Sequence, residues 1–279
     1  MKVLKSLYFW AVILLLPFVL LGCSRLFINF DSDFVSDEYV IRETIQAGDL
    51  KISYLKAGDP DGQRVIFVHG TPGEAANNWY NVLKNVPDGY EYLAIDRPGF
   101  GHTLPKEALT SLNGQAAALE PLLQSKGAIL VGHSLGGPIV AAAAITYPQN
   151  VSAIVIAAGA LDPNLEEVLF IQYLGDIPPF SWLLDRTLKN SNKELIALEK
   201  ELRLLQPKLR NITQPVVIIH GTEDTLVPYE NVAFMERELT NSQHLEVITM
   251  DAMDHFLQWS AFVEIQTAIK KMTAIHEKS

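Results

Sequence analysis

Cysteine is almost absent from this chain: Cys23 is the single one in 279 residues. That excludes an intrachain disulfide framework and any zinc site built on cysteines. Charge is sparse too, at 19% of residues, and it is unbalanced, with 22 basic against 32 acidic side chains and a formal net charge of −10. No basic run or stripe offsets this balance. An acidic surface is repelled by phosphate backbones, so nucleic acid is not an expected partner. Internal repeats and low-complexity tracts are missing, and no H-E-x-x-H pattern offers a metal site. What is present is apolar: 48% of residues are hydrophobic. That composition belongs to a globular chain, and the length suits one large core.

The amino terminus reads as an address. Lys2 and Lys5 form a short positive start, and residues 7–23 follow without a charge. A basic start followed by a short apolar stretch is the pattern of a secretory signal. The stretch ends Leu20-Leu21-Gly22-Cys23, which resembles the lipobox of bacterial lipoproteins. That resemblance implies cleavage before Cys23 and lipidation of its thiol. The alternative is an uncleaved anchor, since an apolar stretch of this length stands at the low edge of what spans a bilayer. Either way the expectation is a body tethered to a membrane of the bacterial cell envelope, outside the cytoplasm. Residues 1–22 are then the targeting segment and 23–37 a polar, acidic linker, leaving 38–279 as the body.

From residue 38 onward, short apolar runs alternate with helical patterns. Strands are expected at 39–45, 50–55, 64–69, 90–95, 128–132, 151–158, 216–220 and 245–250. The first two are joined by the turn signal Ala47-Gly48-Asp49. Helices are expected at 74–86, 109–125, 136–147, 230–239 and 256–276. Residues 161–206 break this rhythm with an aromatic and proline cluster and a charged helical stretch over about 192–205. Alternating strands and helices imply a mainly parallel sheet covered on both faces, and the break reads as an inserted helical cap.

The chemistry begins at Gly132-His133-Ser134-Leu135-Gly136, a G-x-S-x-G sequence between an apolar strand and a helix. This is the context of a nucleophile elbow, whose glycines permit a sharp turn that lifts Ser134 to the carboxyl edge of the sheet. A serine hydroxyl needs a base, and His255, between the last strand and the last helix, stands where the fold supplies one. The base needs an acid to fix its tautomer. Asp224, just after the strand at 216–220, completes the chain order Ser, Asp, His; Glu223, Asp162, Asp251 and Asp254 are competitors. Donors for the developing oxyanion are expected from the backbone N–H of Leu135 and of Thr71. Thr71 lies in the loop His69-Gly70-Thr71-Pro72-Gly73, where Gly70 and Gly73 permit unusual dihedrals and His69 braces rather than acts as a base.

Taken together, His69-Gly70-Thr71-Pro72-Gly73, Asp96-Arg97-Pro98-Gly99-Phe100-Gly101, Gly132-His133-Ser134-Leu135-Gly136-Gly137, Gly221-Thr222-Glu223-Asp224 and Asp254-His255-Phe256-Leu257 resemble the α/β-hydrolase superfamily. The similarity is to the branch holding esterases, haloperoxidases, epoxide hydrolases and carbon–carbon bond hydrolases, and it covers nearly all of 38–279. It implies an α/β-hydrolase fold with a small helical cap insertion at about 161–206. One departure is Asp254, where relatives carry glycine. Branches with an aspartate nucleophile do not fit Ser134.

The resemblance implies a serine hydrolase that uses Ser134, His255 and Asp224 without a metal or organic cofactor. The expected substrate is a small-molecule ester, cleaved in carboxylesterase or lipase fashion through an acyl-enzyme. Leu169, Phe170, Tyr173, Phe180, Trp182 and Leu183 suggest an apolar acyl pocket. Amide or peptide cleavage, carbon–carbon cleavage and perhydrolysis are alternatives on the same fold, with Glu166 and Glu167 as candidates for holding an amine. A non-catalytic binding module stands last, because all three triad residues are present. Oligomeric state is not legible.

Overall fold

The computed structural model describes residues 34–123, 127–168, 170–182 and 184–277. The expected targeting segment 1–22, the lipidation site Cys23, most of the linker 23–37, and Leu169 and Leu183 lie outside the described residues. Residues 34–37 lie against the body: Phe34 meets the Tyr80 ring edge-on at 5.0 Å, and the Asp37 carboxylate accepts from the Tyr80 hydroxyl. Among the described residues no helix is long and apolar enough to cross a membrane.

Eight strands form one sheet: β1 (Ile41–Ala47), β2 (Leu50–Gly58), β3 (Gln63–Val68), β4 (Tyr90–Ile95), β5 (Ala128–His133), β6 (Val151–Ala157), β7 (Val216–Gly221) and β8 (Leu245–Met250). Their spatial order is β1-β2-β4-β3-β5-β6-β7-β8. β1 and β2 make an antiparallel hairpin in which Ala47 pairs with Leu50, and Gly48 takes φ +59° in the two-residue loop between them. β2 pairs antiparallel with β4, and every pairing from β4 to β8 is parallel.

The central strands are buried on both faces, which is why they read as unbroken apolar runs. Alternate residues go to opposite layers. Ile66, Val68, Leu130, Ile154 and Ile156 face one layer, while Val65, Phe67, Val131, Val155 and Val217 face the other. The first layer is closed by α2 (Leu112–Ala117), α3 (Gly136–Thr146) and α6 (Glu230–Glu238), with leucines of α5 (Arg186–Leu205). The second is closed by α1 (Ala75–Leu83) and by α7 (Leu257–Ser260) with α8 (Phe262–His276). Each parallel strand therefore delivers its following loop to the same edge, where α/β sheets place their sites.

Three elements differ from the sequence expectation. The helix expected over 109–125 is α2 followed by a 3-10 turn at Glu120–Leu122. Pro121 has no N–H to continue an α-helical ladder. The helix expected over 256–276 is interrupted at Ala261, whose φ −111° and ψ 35° lie outside the helical well. The charged helix expected at 192–205 begins earlier, at Arg186, because the Asp185 side chain accepts the Leu188 N–H at 2.8 Å and caps it. Between β6 and β7 lie only helical elements among the described residues: α4 (Phe170–Gly175), 3-10 turns and α5.

Candidate active site

Ser134 sits between β5 and α3 with φ +54°, a left-handed conformation that a serine adopts only under constraint. The constraint is local. A Cβ at Gly132 would stand 2.3 Å from the Gly136 carbonyl oxygen, so the turn closes this tightly only with glycine there. The chain is then pinned by the Gly137 N–H donating to the Ser134 carbonyl at 2.9 Å, and by the Ser134 N–H reaching Ala157 at 3.0 Å.

His255 and Asp224 arrive from the ends of β8 and β7. His255 Nδ1 donates to Asp224 Oδ2 at 2.7 Å, both side chains being buried. The proton is thus on Nδ1, which leaves Nε2 as the basic nitrogen. The other carboxylate oxygen, Oδ1, accepts the backbone N–H groups of Leu226 at 2.9 Å and Val227 at 2.8 Å. Burial pushes the Asp224 pKa up, but hydrogen bonds from His220, His255 and the Val227 amide outweigh it, and the group is held below the usual carboxylate range. The competing acids are placed otherwise. Glu223, Asp251 and Asp254 are exposed, Asp254 accepting the Phe256 N–H, and Asp162 accepts from Asn164.

The loop after β3 lies against Ser134. A Cβ at Gly70 would sit 2.7 Å from Ser134 Cβ and 3.2 Å from its Oγ. Neither the Thr71 N–H nor the Leu135 N–H donates to a backbone acceptor among the described residues. Both residues line one cavity of about 1070 Å³ with Ser134, His255, Gly70 and Gly73. His69 is fully buried, its Nδ1 2.7 Å from the Gly70 carbonyl oxygen. Burial and the neighbouring Arg97 cation push its pKa well below the ordinary histidine value, so it is neutral.

A serine on a strained strand-to-helix turn, a histidine paired to a buried aspartate, and two amides beside the serine without a backbone acceptor among the described residues define a family arrangement. The family model described as the alpha/beta hydrolase fold matches residues 63–210. The chain belongs to the α/β-hydrolase family.

It is 28% identical over 233 residues to a non-heme chloroperoxidase of Streptomyces lividans, a match covering 67% of this chain and 84% of that protein. It is 31% identical over 112 residues to the dihydrolipoyllysine-residue acetyltransferase component of the acetoin cleaving system of Cupriavidus necator. That match covers 39% of this chain and only 29% of the larger protein. Among solved structures, the monoacylglycerol lipase of Paleococcus ferrophilus superposes with a TM-score of 0.64 at 23% identity, over 81% of this chain and 99% of the lipase. The α/β-hydrolase fold is thereby shown, and with the family comes the hydrolase class of enzyme acting on a small molecule.

The hydrolase cavity is walled by Leu165, Leu195, Leu198, Leu226 and Val227, with Phe256 and Trp259 stacked at 5.4 Å on another side. This corrects the expected acyl pocket. Phe170, Tyr173, Phe180 and Trp182 are exposed and do not line the cavity. The apolar wall comes instead from leucines of α5 and from Leu165, whose spacing carried no aromatic signal. Glu166 and Glu167 do line it. Burial, then Asp162 and Glu199, push the Glu166 pKa up to about 7.

Two histidines near the site went unassigned in the sequence. His220, fully buried, places Nε2 2.9 Å from the Val227 carbonyl oxygen and 3.5 Å from Asp224 Oδ2. His133 Nε2 donates to the His255 carbonyl at 2.9 Å, tying the turn at Ser134 to the loop that carries His255. Burial and His255 push the His133 pKa down to about 3. Their only sequence signals were position: His220 lies near the end of β7, four residues before Asp224, and His133 is the x of the elbow motif.

Proposed function

We propose that this α/β hydrolase is a serine hydrolase cleaving a carboxylic ester through an acyl-enzyme, with Ser134, His255 and Asp224 as its triad. The observation that carries the reading is the buried 2.7 Å His255–Asp224 pair, whose histidine lines the same cavity as Ser134. His255 Nε2 takes the Ser134 proton as Oγ attacks the ester carbonyl, and Asp224 stabilises the imidazolium that forms. The oxyanion accepts from the Thr71 and Leu135 amides. His255 then protonates the leaving alcohol, and water releases the acid by the reverse use of the same groups. The leucine wall supports an apolar acyl group.

Amide or peptide cleavage is a second reading, favoured by Glu166 and Glu167 at the cavity wall, which suit an amine-bearing substrate. A panel of p-nitrophenyl esters of rising chain length beside matched anilides tests this. Turnover of esters well above anilides supports the first reading, and the reverse order replaces it with the second. The amino-terminal reading adds a tether outside the cytoplasm through Cys23 or an uncleaved anchor. Palmitate incorporation that vanishes on Cys23→Ala supports the lipid form.

A further inference from the structure

Gly70 and Thr71 share one peptide group, and in a trans peptide the C=O and N–H point in opposite directions. The Gly70 carbonyl is held from two sides. His69 Nδ1 lies 2.7 Å from it and Arg97 Nη2 donates at 2.9 Å. The tautomer of His69 is set by its other nitrogen, because Nε2 accepts the Arg97 backbone N–H at 3.2 Å. Nδ1 therefore carries the proton and donates, and both lone pairs of the carbonyl are used.

Arg97 is itself fixed. Its side chain is fully buried, with Nη1 at 2.6 Å from Glu194 Oε1 and 2.7 Å from Gln115 Oε1, and Nη2 at 3.1 Å from Glu194 Oε2. Its guanidinium lies 4.7 Å from the Phe100 ring centroid. Gln115 returns a bond to Glu194 at 2.9 Å. A buried ion pair gives little net stability over apolar residues of like volume, so stability alone does not account for this one. With Nε left without a hydrogen-bond partner, Nη2 divides its donors between Glu194 and the one carbonyl whose peptide partner is the Thr71 N–H.

We propose that Arg97 is a positioning residue of the oxyanion hole: by gripping the Gly70 carbonyl from behind, it aims the Thr71 N–H at the oxygen bound beside Ser134. This rests on the proposed reading in which that amide is an oxyanion donor. A flipped peptide would present a carbonyl oxygen to the developing anion, and it is disfavoured because it must break two buried hydrogen bonds. The cation also polarises the peptide and strengthens its N–H as a donor. Glu194 sits on α5 beside Leu195, which lines the cavity, so the helix that supplies the apolar wall also anchors the arginine.

The test is Arg97→Met/Glu194→Met in the full chain, which removes both buried charges together, with Arg97→Lys as a second variant that keeps a cation opposite Glu194 without the planar fork. Turnover of p-nitrophenyl butyrate and inhibition by phenylboronic acid, whose tetrahedral adduct occupies the hole, are measured beside Tm. The expected result is a fall in kcat of about 10- to 100-fold, a KM within about threefold, and a boronate Ki raised in step with the loss of kcat, in variants that still melt cooperatively. A merely structural role moves Tm and KM and leaves the boronate affinity untouched. Folded variants with kcat and boronate Ki within about twofold of wild type overturn the proposal; if the double variant does not fold, Arg97→Lys alone decides by the same criterion. A wild type that neither hydrolyses the ester nor binds the boronate removes the hole itself, a failure of the underlying reading that is visible before any variant is made.

Discussion

Asp224→Asn is the sharpest perturbation of the site. The carboxylate oxygen Oδ1 accepts two backbone amides, from Leu226 and Val227, while Oδ2 faces His255 Nδ1 and, further off, His220 Nε2. An asparagine must leave its single oxygen with the two amides, which have fixed positions. Its NH2 group then points at His255 Nδ1. Two donors cannot face each other in a buried site, so His255 moves its proton to Nε2 and accepts at Nδ1. In the proposed mechanism, His255 now carries a proton where it must take one from Ser134. Loss of the correct tautomer costs about 10⁴-fold in kcat, or about 5.4 kcal/mol at 1.36 kcal/mol per decade. KM should change by less than about threefold, since Asp224 does not line the cavity. Steady-state turnover of the best ester, with circular dichroism to confirm folding, makes the measurement. A kcat within tenfold of wild type would refute the tautomer argument and return the acid's role to Asp162, Glu223, Asp251 or Asp254.

Other expectations are independent of that pair. Glu166, raised to about 7, holds a proton in the folded state that the unfolded chain releases near 4.5, so stability falls as pH rises between those values. Glu166→Gln should therefore raise Tm more at pH 8 than at pH 5, and an equal shift at both would contradict the assignment. Trp79 is fully buried, with its ring 5.0 Å from Phe67. Trp79→Ala should cost about 3–5 kcal/mol in urea denaturation, and a loss under about 1 kcal/mol would mean that the layer beneath α1 is not close-packed.

Much of this site was legible because its chemistry is local. The elbow depends on glycines within two residues of Ser134, and both flank it in sequence. The strands of the parallel region read clearly because burial on both faces demands unbroken apolar runs, as at Val65–Val68 and along β7. Asp224 was chosen from its place after β7 and the chain order Ser, Asp, His; that its carboxylate, and not a neighbour's, meets His255 needed three dimensions. Arg97 gave no sign of its contact with Gly70, because its partners lie 27 and 97 residues away. The aromatic cluster misled for a related reason. Composition reports that Phe170 and Trp182 are apolar but not which way they face, and both are exposed. The early start of α5 was readable in principle from Asp185, a capping residue type placed before a helical pattern.

The central claim is that Ser134 is an activated nucleophile, and fluorophosphonate labelling tests it most directly. Wild-type protein should label covalently at one residue, identified as Ser134 by peptide mapping, and Ser134→Ala should not label at all. Folded wild type that stays unlabelled, or a Ser134→Ala variant that labels as well as wild type, would contradict the account.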